Sequence, residues 1–248
     1  MASEAQRKRA LEDIRENIAR YGHHVYMVID DVTPRFAYTI GLSESVGAEL
    51  ILAGAVFYMK DDVLQIIKAI ASELKAAPER QTFEVAGQGS FSLRQAHGTW
   101  AAEVILGAFD YYKKRDIQAL QIVPDEVHWT LDVPDMTAPW SATEEPVWRW
   151  LREPWSFPVP KDSTAITDLA ALQGEPVTEA ARWEEDYWEL FAGCGPDVPK
   201  DEQRIVALGT LVAADPSLAP VMNLEVGAAL WRDGHSEWHP WGKKQSDV

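Results

Sequence analysis

The chain opens with apolar residues spaced three or four positions apart, which is the pattern of one face of a helix. These residues are Leu11, Ile14, Ile18 and Tyr21. The pattern predicts a helix over residues 4–21, and Gly22 follows it as a residue that can end a helix. Three short apolar segments come next, and because turn residues bound each of them we expect three buried strands. Their sequences are HVYMVID, FAYTIGL and ELILAG.

Helical and strand patterns continue to alternate after these segments. Asp61 and Asp62 precede an apolar stripe of helical spacing that stops before Pro78, which predicts a capped helix. TFEV and FSLRQ flank the turn sequence AGQGS and predict a hairpin. Thr99 is expected to cap a further helix through Tyr112, and IQALQIV predicts a closing strand. Hairpin-length links mixed with helices indicate an α+β fold, with a mixed sheet on which helices pack.

Proline and tryptophan dominate residues 143–160, so this segment can neither form a long regular element nor behave as a solvated linker. We expect this connecting belt to pack against the first domain or between domains, because so many aromatic side chains are not left in water. DYWELFAG and GAALWRD then predict strands of a smaller α+β domain. The predicted organisation is an α+β domain over 1–142, the belt, a small α+β domain over 161–241 and a disordered tail over 242–248.

Charge and cysteine content narrow the class of protein. The 248 residues carry a formal net charge of −16, which argues against nucleic acid because a phosphate backbone requires clustered lysine and arginine. No apolar span of about 18 residues occurs, so we expect no association with a membrane. The single cysteine, Cys194, cannot form an internal disulfide and agrees with a reducing compartment. We therefore expect a cytoplasmic protein whose acidic surface favours solubility or a basic partner.

Histidine and cysteine spacing gives no support for metal or nucleophilic chemistry. His23 and His24 are adjacent, so on a strand they point to opposite faces and cannot bind one ion. His235 and His239 have the spacing of a helical zinc site, but glycine and proline surround them and predict an exposed turn. For Cys194, no neighbouring base can be identified. We predict no metal site, no cofactor and no catalytic residue, which favours a non-enzymatic protein.

The FAYTIGL segment contains the best candidate for a ligand site. Tyr38 and Thr39 carry hydroxyls on opposite faces of a predicted buried strand, and each needs a partner because an unpaired buried hydroxyl costs about 1–3 kcal/mol. A cleft for a small ligand would lie over the loop that follows this strand. The candidate ligand-binding residues are His24, Tyr38, Thr39, Gly41, Ser43 and Glu49. The alternative is that Tyr38 is a core aromatic residue hydrogen-bonded to a backbone carbonyl.

Two family resemblances add expectations that the patterns alone do not supply. FAYTIGL, ELILAG and ALQIVPDE, with a later Pro-Trp pair, resemble a bacterial family, the domain of unknown function 4262, over about residues 10–142. Ala48 and His23 depart from that family, which commonly has proline and tryptophan there. DYWELFAG and LGTLVAADPSLAPVMNLEVGAALWRD resemble a second family, the domain of unknown function 2185. Its members look like immunity proteins of bacterial toxin systems, so this resemblance implies binding rather than catalysis.

Two functions remain open. The leading hypothesis is a cytosolic, non-enzymatic binding protein of immunity type, whose acidic surface or tryptophan-rich groove masks a protein partner such as a basic toxin domain. The alternative is a small-ligand sensor or an enzyme with a pocket at the end of the FAYTIGL strand, lined by His24, Tyr38 and Glu49. An exposed aromatic belt would also favour a homodimer.

Overall fold

A computed structural model describes residues 4–29, 32–234 and 236–241 of the chain. The predicted tail over 242–248 and one of the two spaced histidines, His235, lie outside these residues. The described residues form two compact units. The first contains residues 4–29, 35–129 and 133–141, and the second contains residues 32–34, 130–132, 142–234 and 236–241.

The first unit contains one six-stranded sheet and four α-helices among its described residues. In chain order these are α1 (Glu4–Tyr21), β1 (His24–Val28), β2 (Phe36–Ile40), β3 (Glu49–Ala53), α2 (Lys60–Ala76), β4 (Thr82–Val85), β5 (Gly89–Gln95), α3 (Gly98–Val104), α4 (Leu106–Tyr112) and β6 (Ala119–Pro124). The strand order is β1-β2-β3-β6-β5-β4, with β3 and β6 parallel and the other neighbours antiparallel. This mixed sheet with helices confirms the predicted α+β class.

The continuous apolar sequence of β2 and β3 reflects burial on both faces of the sheet. Every residue of both strands is buried. On one face, α2 contributes Ile66, Ile67 and Ile70 to the same core cluster as Leu50 and Leu52 of β3. The alternate residues of β2 point to the opposite face, where α4 contacts the strand. Two covered faces leave no position on these strands for a solvated side chain.

The helix predicted from Thr99 to Tyr112 is instead two short helices, α3 and α4. The break is at Ile105, whose φ of −106° and ψ of 37° leave the helical region. The N-terminal cap is His97 rather than Thr99, because the His97 ring Nδ1 accepts a hydrogen bond from the Thr99 backbone N–H at 3.2 Å. The Thr99 hydroxyl accepts from the Trp140 N–H at 2.8 Å instead.

The second unit contains another six-stranded mixed sheet. Its elements are β7 (Thr164–Asp168), α5 (Leu169–Leu172), β8 (Glu179–Arg182), β9 (Tyr187–Phe191), β10 (Gln203–Ala207), α6 (Leu208–Ala214), β11 (Ala228–Trp231) and β12 (His239–Pro240), with 3₁₀ helices over Pro146–Leu151, Gly195–Asp197 and Pro216–Asn223. The order is β10-β7-β9-β8-β11-β12, and β7 pairs with β9 in parallel. The predicted strand GAALWRD is β11, but His239, expected in an exposed turn, pairs with Trp231 as part of β12.

The belt over residues 143–160 contributes core side chains to the second unit. Trp148 is fully buried, with 0% of its surface exposed, and its indole N–H donates to the Asp132 carbonyl at 3.0 Å. Trp150 is buried as well and meets Trp155 edge to face, with ring centroids 5.0 Å apart. The 3₁₀ helix that carries Trp148 and Trp150 packs against α6. The buried tryptophans thus anchor a segment in which prolines prevent a long regular element.

Candidate functional site

Glu49, the first residue of β3, is a fully buried carboxylate with five hydrogen-bond donors. The donors are the backbone N–H groups of Gly41, Leu42 and Ser43, at 3.1, 3.3 and 3.0 Å, and the hydroxyls of Thr39 and Tyr112, each at 2.6 Å. We call these six residues the Glu49 cluster. A buried carboxylate without partners would be strongly destabilising, so the five donors are what allows a charge to occupy this position.

The turn after β2 directs these donors toward Glu49. Gly41 has a φ of +110°, a conformation that favours glycine, and Ile18 lies 2.9 Å from where a Cβ would be. The Thr39 hydroxyl donates to Glu49 and also accepts from the Leu50 N–H at 2.8 Å, which joins β2 to β3 through side chains. The loop is therefore shaped around the carboxylate.

Tyr112, at the end of α4, completes the cluster and was not among the predicted site residues. Its hydroxyl donates to Glu49 and accepts from the Gly41 N–H at 2.7 Å. Burial, together with the hydrogen bond and the charge of Glu49, raises the pKa of Tyr112 above its ordinary value. Glu49 is 63 residues away in the chain, so no local sequence signal could have paired the two.

His24 and Tyr38 do not join this cluster. The Tyr38 hydroxyl accepts from the Gly107 N–H at 3.1 Å, and burial raises the pKa of Tyr38 to about 12. Tyr38 is thus bonded to the backbone, but to an N–H rather than the expected carbonyl, because the first N–H groups of α4 have no partner within the helix. The His24 ring lies 3.0 Å from the Asn17 amide, and burial lowers the pKa of His24.

A cavity of about 400 Å³ lies beside the loop of the Glu49 cluster. Ser43 and Gly47 of the loop line it, as do Tyr112 and Lys114 near the end of α4. Ser43 is the one predicted ligand residue on this lining. Glu49 is not on the lining, but it accepts a hydrogen bond from Tyr112, which is, so the cluster supports the wall of this cavity.

A larger cavity, of about 1020 Å³, lies over one face of the second sheet. Ile166, Glu189, Ala181 and Ala229 line it, and they are paired in register across β7, β9, β8 and β11. Paired residues share a face, so these four side chains form one row across the sheet. The alternate residues, such as Trp188 and Leu190, are buried on the opposite face. One face of the sheet is therefore core and the other is open.

Aromatic side chains border this open face. Trp183 follows β8 and Trp241 follows β12; both line the cavity, and each exposes 49% of its surface. Ile205 of β10 pairs with Ile166 and is 67% exposed, which extends the apolar row to the edge of the sheet. Exposed aromatic and branched side chains that are contiguous on one face are typical of an interaction surface.

The charged residues of this cavity are acidic. Its lining contains Glu179, Glu189 and Glu225 and, in the part of the chain that the structure describes, no lysine, arginine or histidine. Glu179 accepts from the Gly195 N–H at 2.9 Å. Arg182 donates to the Leu224 carbonyl and lies over Trp188, on the other face of the sheet. We name the cavity the acidic groove; its rim carries Trp183, Trp241 and Cys194.

Cys194 on the rim is exposed, but its surroundings do not activate it as a nucleophile. Desolvation and the carboxylates of Glu179 and Asp197 raise the pKa of the thiol above its ordinary value. A raised pKa keeps the sulfur protonated at neutral pH, whereas the thiolate is the reactive form.

Metal sites and membrane spans each require a particular arrangement of residues. Within residues 4–29, 32–234 and 236–241, no three histidine, cysteine, aspartate or glutamate side chains converge as a metal site would require. None of the helices in this part of the chain combines the length and apolar character of a membrane span.

Comparison with known families bears on the first unit. Residues 17–128 match the model of the family described as Domain of unknown function (DUF4262). The resemblance predicted for the first part of the chain is thereby confirmed. The DUF4262 match contains the whole Glu49 cluster and ends before the second sheet begins. No curated protein and no solved structure matches the chain. The likeness of the tail to a second family stays a prediction.

Proposed function

We propose that this chain is a non-enzymatic binding protein of immunity type, and that its acidic groove holds a protein partner with a basic surface. The observation that carries the proposal is the open face of the second sheet, a cavity of about 1020 Å³ whose lining combines exposed indoles with three carboxylates. Large apolar surfaces bordered by charge are typical of protein interaction sites.

The position of the groove agrees with the resemblance of the tail to immunity proteins. Glu189 and Phe191 belong to the stretch DYWELFAG, and Glu225 and Ala229 belong to the second stretch that resembles domain 2185. The residues that carry the resemblance are thus among those that line the groove. A toxin held on this surface is the partner that the resemblance implies.

Charge favours a basic partner over a second copy of this chain. The net charge of −16 makes two copies repel each other, whereas a basic domain is attracted and steered toward the groove. A cytoplasmic location of this chain is proposed as well, since its single cysteine agrees with a reducing compartment.

Co-expression tests this proposal. The full chain is expressed with toxin candidates encoded beside it, and rescue of growth and co-purification are measured for wild type, Glu189→Lys and Glu79→Lys. Glu79 is exposed in the first unit, so its substitution changes the net charge equally without touching the groove. We expect wild type and Glu79→Lys to rescue growth and Glu189→Lys to fail. Absence of any partner, or equal rescue by all three, contradicts the proposal. A homodimer in light scattering that Glu189→Lys dissociates would place a second copy, and not a basic partner, in the groove.

A second candidate function is the binding of a small ligand in the cavity of about 400 Å³ beside Ser43 and Tyr112. The observation that favours it is that this cavity lies at the predicted loop. Thermal melting with a panel of metabolites and cofactors is the test, on wild type, Lys114→Glu and Arg115→Glu. Lys114 lines the cavity and its exposed neighbour Arg115 does not. A ligand of this site raises the melting temperature of wild type and Arg115→Glu only, and a panel without effect on wild type rejects the candidate.

A further inference from the structure

Glu189 is the central charge of the acidic groove, and its neighbours across the sheet offer it no polar contact. It is paired with Ile166 on one side and with Ala181 on the other. No ion pair involves Glu189 within the described residues, in contrast to Asp215, which pairs with Arg232 at 3.0 Å. In the free protein, water can solvate this half-exposed carboxylate.

Small residues leave a notch beside this carboxylate. Ala181 is followed across the sheet by Ala229, whose carbonyl accepts from the Trp241 N–H at 2.9 Å. Because neighbouring strands are about 4.8 Å apart, the backbone of Trp241 lies three strand spacings, roughly 14 Å, from that of Glu189, with two alanine positions between them. Trp183 lies two residues beyond Ala181 on the same face and is thus a diagonal neighbour of Glu189. The notch has an alanine floor, Glu189 at one end of the row, Trp241 at the other end and Trp183 beside it.

A partner that covers the groove has to replace the water around the Glu189 carboxylate. Neutral donors do this for Glu49, but a cation also supplies the opposite charge, which the acidic lining of the groove favours. A guanidinium group suits the notch better than an ammonium group, because it pairs with a carboxylate through two parallel N–H donors and its flat face stacks on indole.

We infer that the acidic groove binds an arginine side chain of the partner, with Glu189 as its carboxylate and Trp183 and Trp241 as its aromatic walls. This inference rests on the proposed function and specifies the chemistry of the partner. The arginine lies over Ala181 and Ala229, and apolar residues next to it in the partner cover Ile166 and Ile205. Arginine is accordingly the anchor of the interface.

The test uses the ¹⁵N-labelled full chain and the indole N–H signals of Trp183 and Trp241, assigned by single substitution. Three peptides are titrated: acetyl-Leu-Arg-Leu-amide and its lysine and citrulline counterparts, citrulline being the neutral analogue of arginine. We expect the arginine peptide to shift both indole signals saturably and to bind at least about tenfold more tightly than the citrulline peptide, with lysine between them.

Two variants separate a specific carboxylate from the general acidity of the chain. Glu189→Gln should remove the preference for arginine over citrulline, whereas Glu79→Gln, at an exposed position of the first unit, should keep it within about twofold of wild type. Binding of the citrulline peptide as tight as that of the arginine peptide overturns the inference. So does an unchanged preference in Glu189→Gln, or the absence of indole shifts at millimolar arginine peptide.

The two proposals fail in distinguishable ways. If wild type and Glu189→Gln bind a toxin equally and rescue growth equally, the arginine site is wrong while the binding function stands. If the arginine peptide binds as expected but no protein partner is found, the site is supported and the immunity function fails.

Discussion

Glu49 and Glu189 occupy similar places in the two sheets and have opposite surroundings. Each lies on a strand with one parallel neighbour, β3 beside β6 and β9 beside β7. Glu49 is fully buried and accepts five hydrogen bonds from its own chain. Glu189 is half-buried on an open face and is paired with alanine and isoleucine.

The comparison shows how to tell a structural carboxylate from one that is available to a partner. A buried charge whose lone pairs are occupied by backbone and hydroxyl donors has little left to offer a ligand. A charge on an apolar face retains its full hydrogen-bonding capacity until another molecule covers it. In the first sheet, Glu49 stabilises the loop that follows β2. In the second sheet, Glu189 lies on the open face, where a partner can reach it.

The same substitution at both sites gives the largest expected contrast. Glu49→Gln places an amide NH₂ against groups that are themselves donors, and we expect it to lower the free energy of unfolding by about 2–4 kcal/mol. Glu189→Gln should change it by less than about 0.5 kcal/mol, since no internal contact is lost. Urea unfolding measures both, and equal effects would remove the distinction between the two carboxylates.

A second substitution tests how closely the Tyr38 hydroxyl packs against the backbone of α4. A Cβ at Gly107 would lie 2.4 Å from the Tyr38 hydroxyl, so Gly107→Ala should cost about 1–3 kcal/mol of stability. Gly98→Ala is the control, because nothing lies within 4 Å of a Cβ there. Adding Tyr38→Phe should recover part of the loss by removing the colliding oxygen. A double variant no more stable than Gly107→Ala would contradict this account.

Tyr112→Phe removes one donor to Glu49 and the acceptor for the Gly41 N–H, and should cost about 1–2 kcal/mol at neutral pH. Because the pKa of Tyr112 is raised above its ordinary 10.0, the unfolded phenol ionises first as pH increases. Wild-type stability should therefore fall as pH rises above 10, and Tyr112→Phe should fall less steeply. Tyr111→Phe is the control in denaturant melts at pH 7 to 11. Parallel pH curves for wild type and Tyr112→Phe would be the contrary result.

The smallest expected effect is a gain in stability at the groove. Glu189→Leu replaces a charge between Ile166 and Ala181 by an apolar side chain and should raise the free energy of unfolding by about 0.5 kcal/mol. Arginine-peptide binding should be lost in the same variant. A decrease in stability of more than about 1 kcal/mol would mean that Glu189 has a structural role like that of Glu49.

The parts of the first unit that depend on near neighbours in the chain could be predicted. FAYTIGL is a buried strand because both its faces are covered, and such strands have a continuous apolar sequence. Thr39, Gly41, Ser43 and Glu49 are predicted as one group, and they lie close together because they flank one turn. Tyr38 points to the other face of the sheet, which strand alternation requires but which does not reveal its partner.

Contacts between distant residues could not be predicted. Tyr112 reaches Glu49 because α4 ends beside the loop, and helix spacing contains no information about that position. The acidic groove depends on the pairing of β9 with β7 and β8 and on the absence, among the described residues, of a helix over one face. DYWELFAG has the alternation of a strand with one buried face, but its sequence is the same whether a neighbour covers the other face or not.

The second unit contains chain segments that are far apart in the sequence, and this affects how the protein folds during translation. Residues 32–34 and 130–132 belong to this unit, and the Leu131 N–H donates to the Leu172 carbonyl at 2.8 Å. During translation these segments leave the ribosome before α5, the helix to which Leu131 is hydrogen-bonded. A polypeptide truncated after residue 141 would display them without their neighbours, so dissection of the two halves by simple cleavage would leave both incomplete.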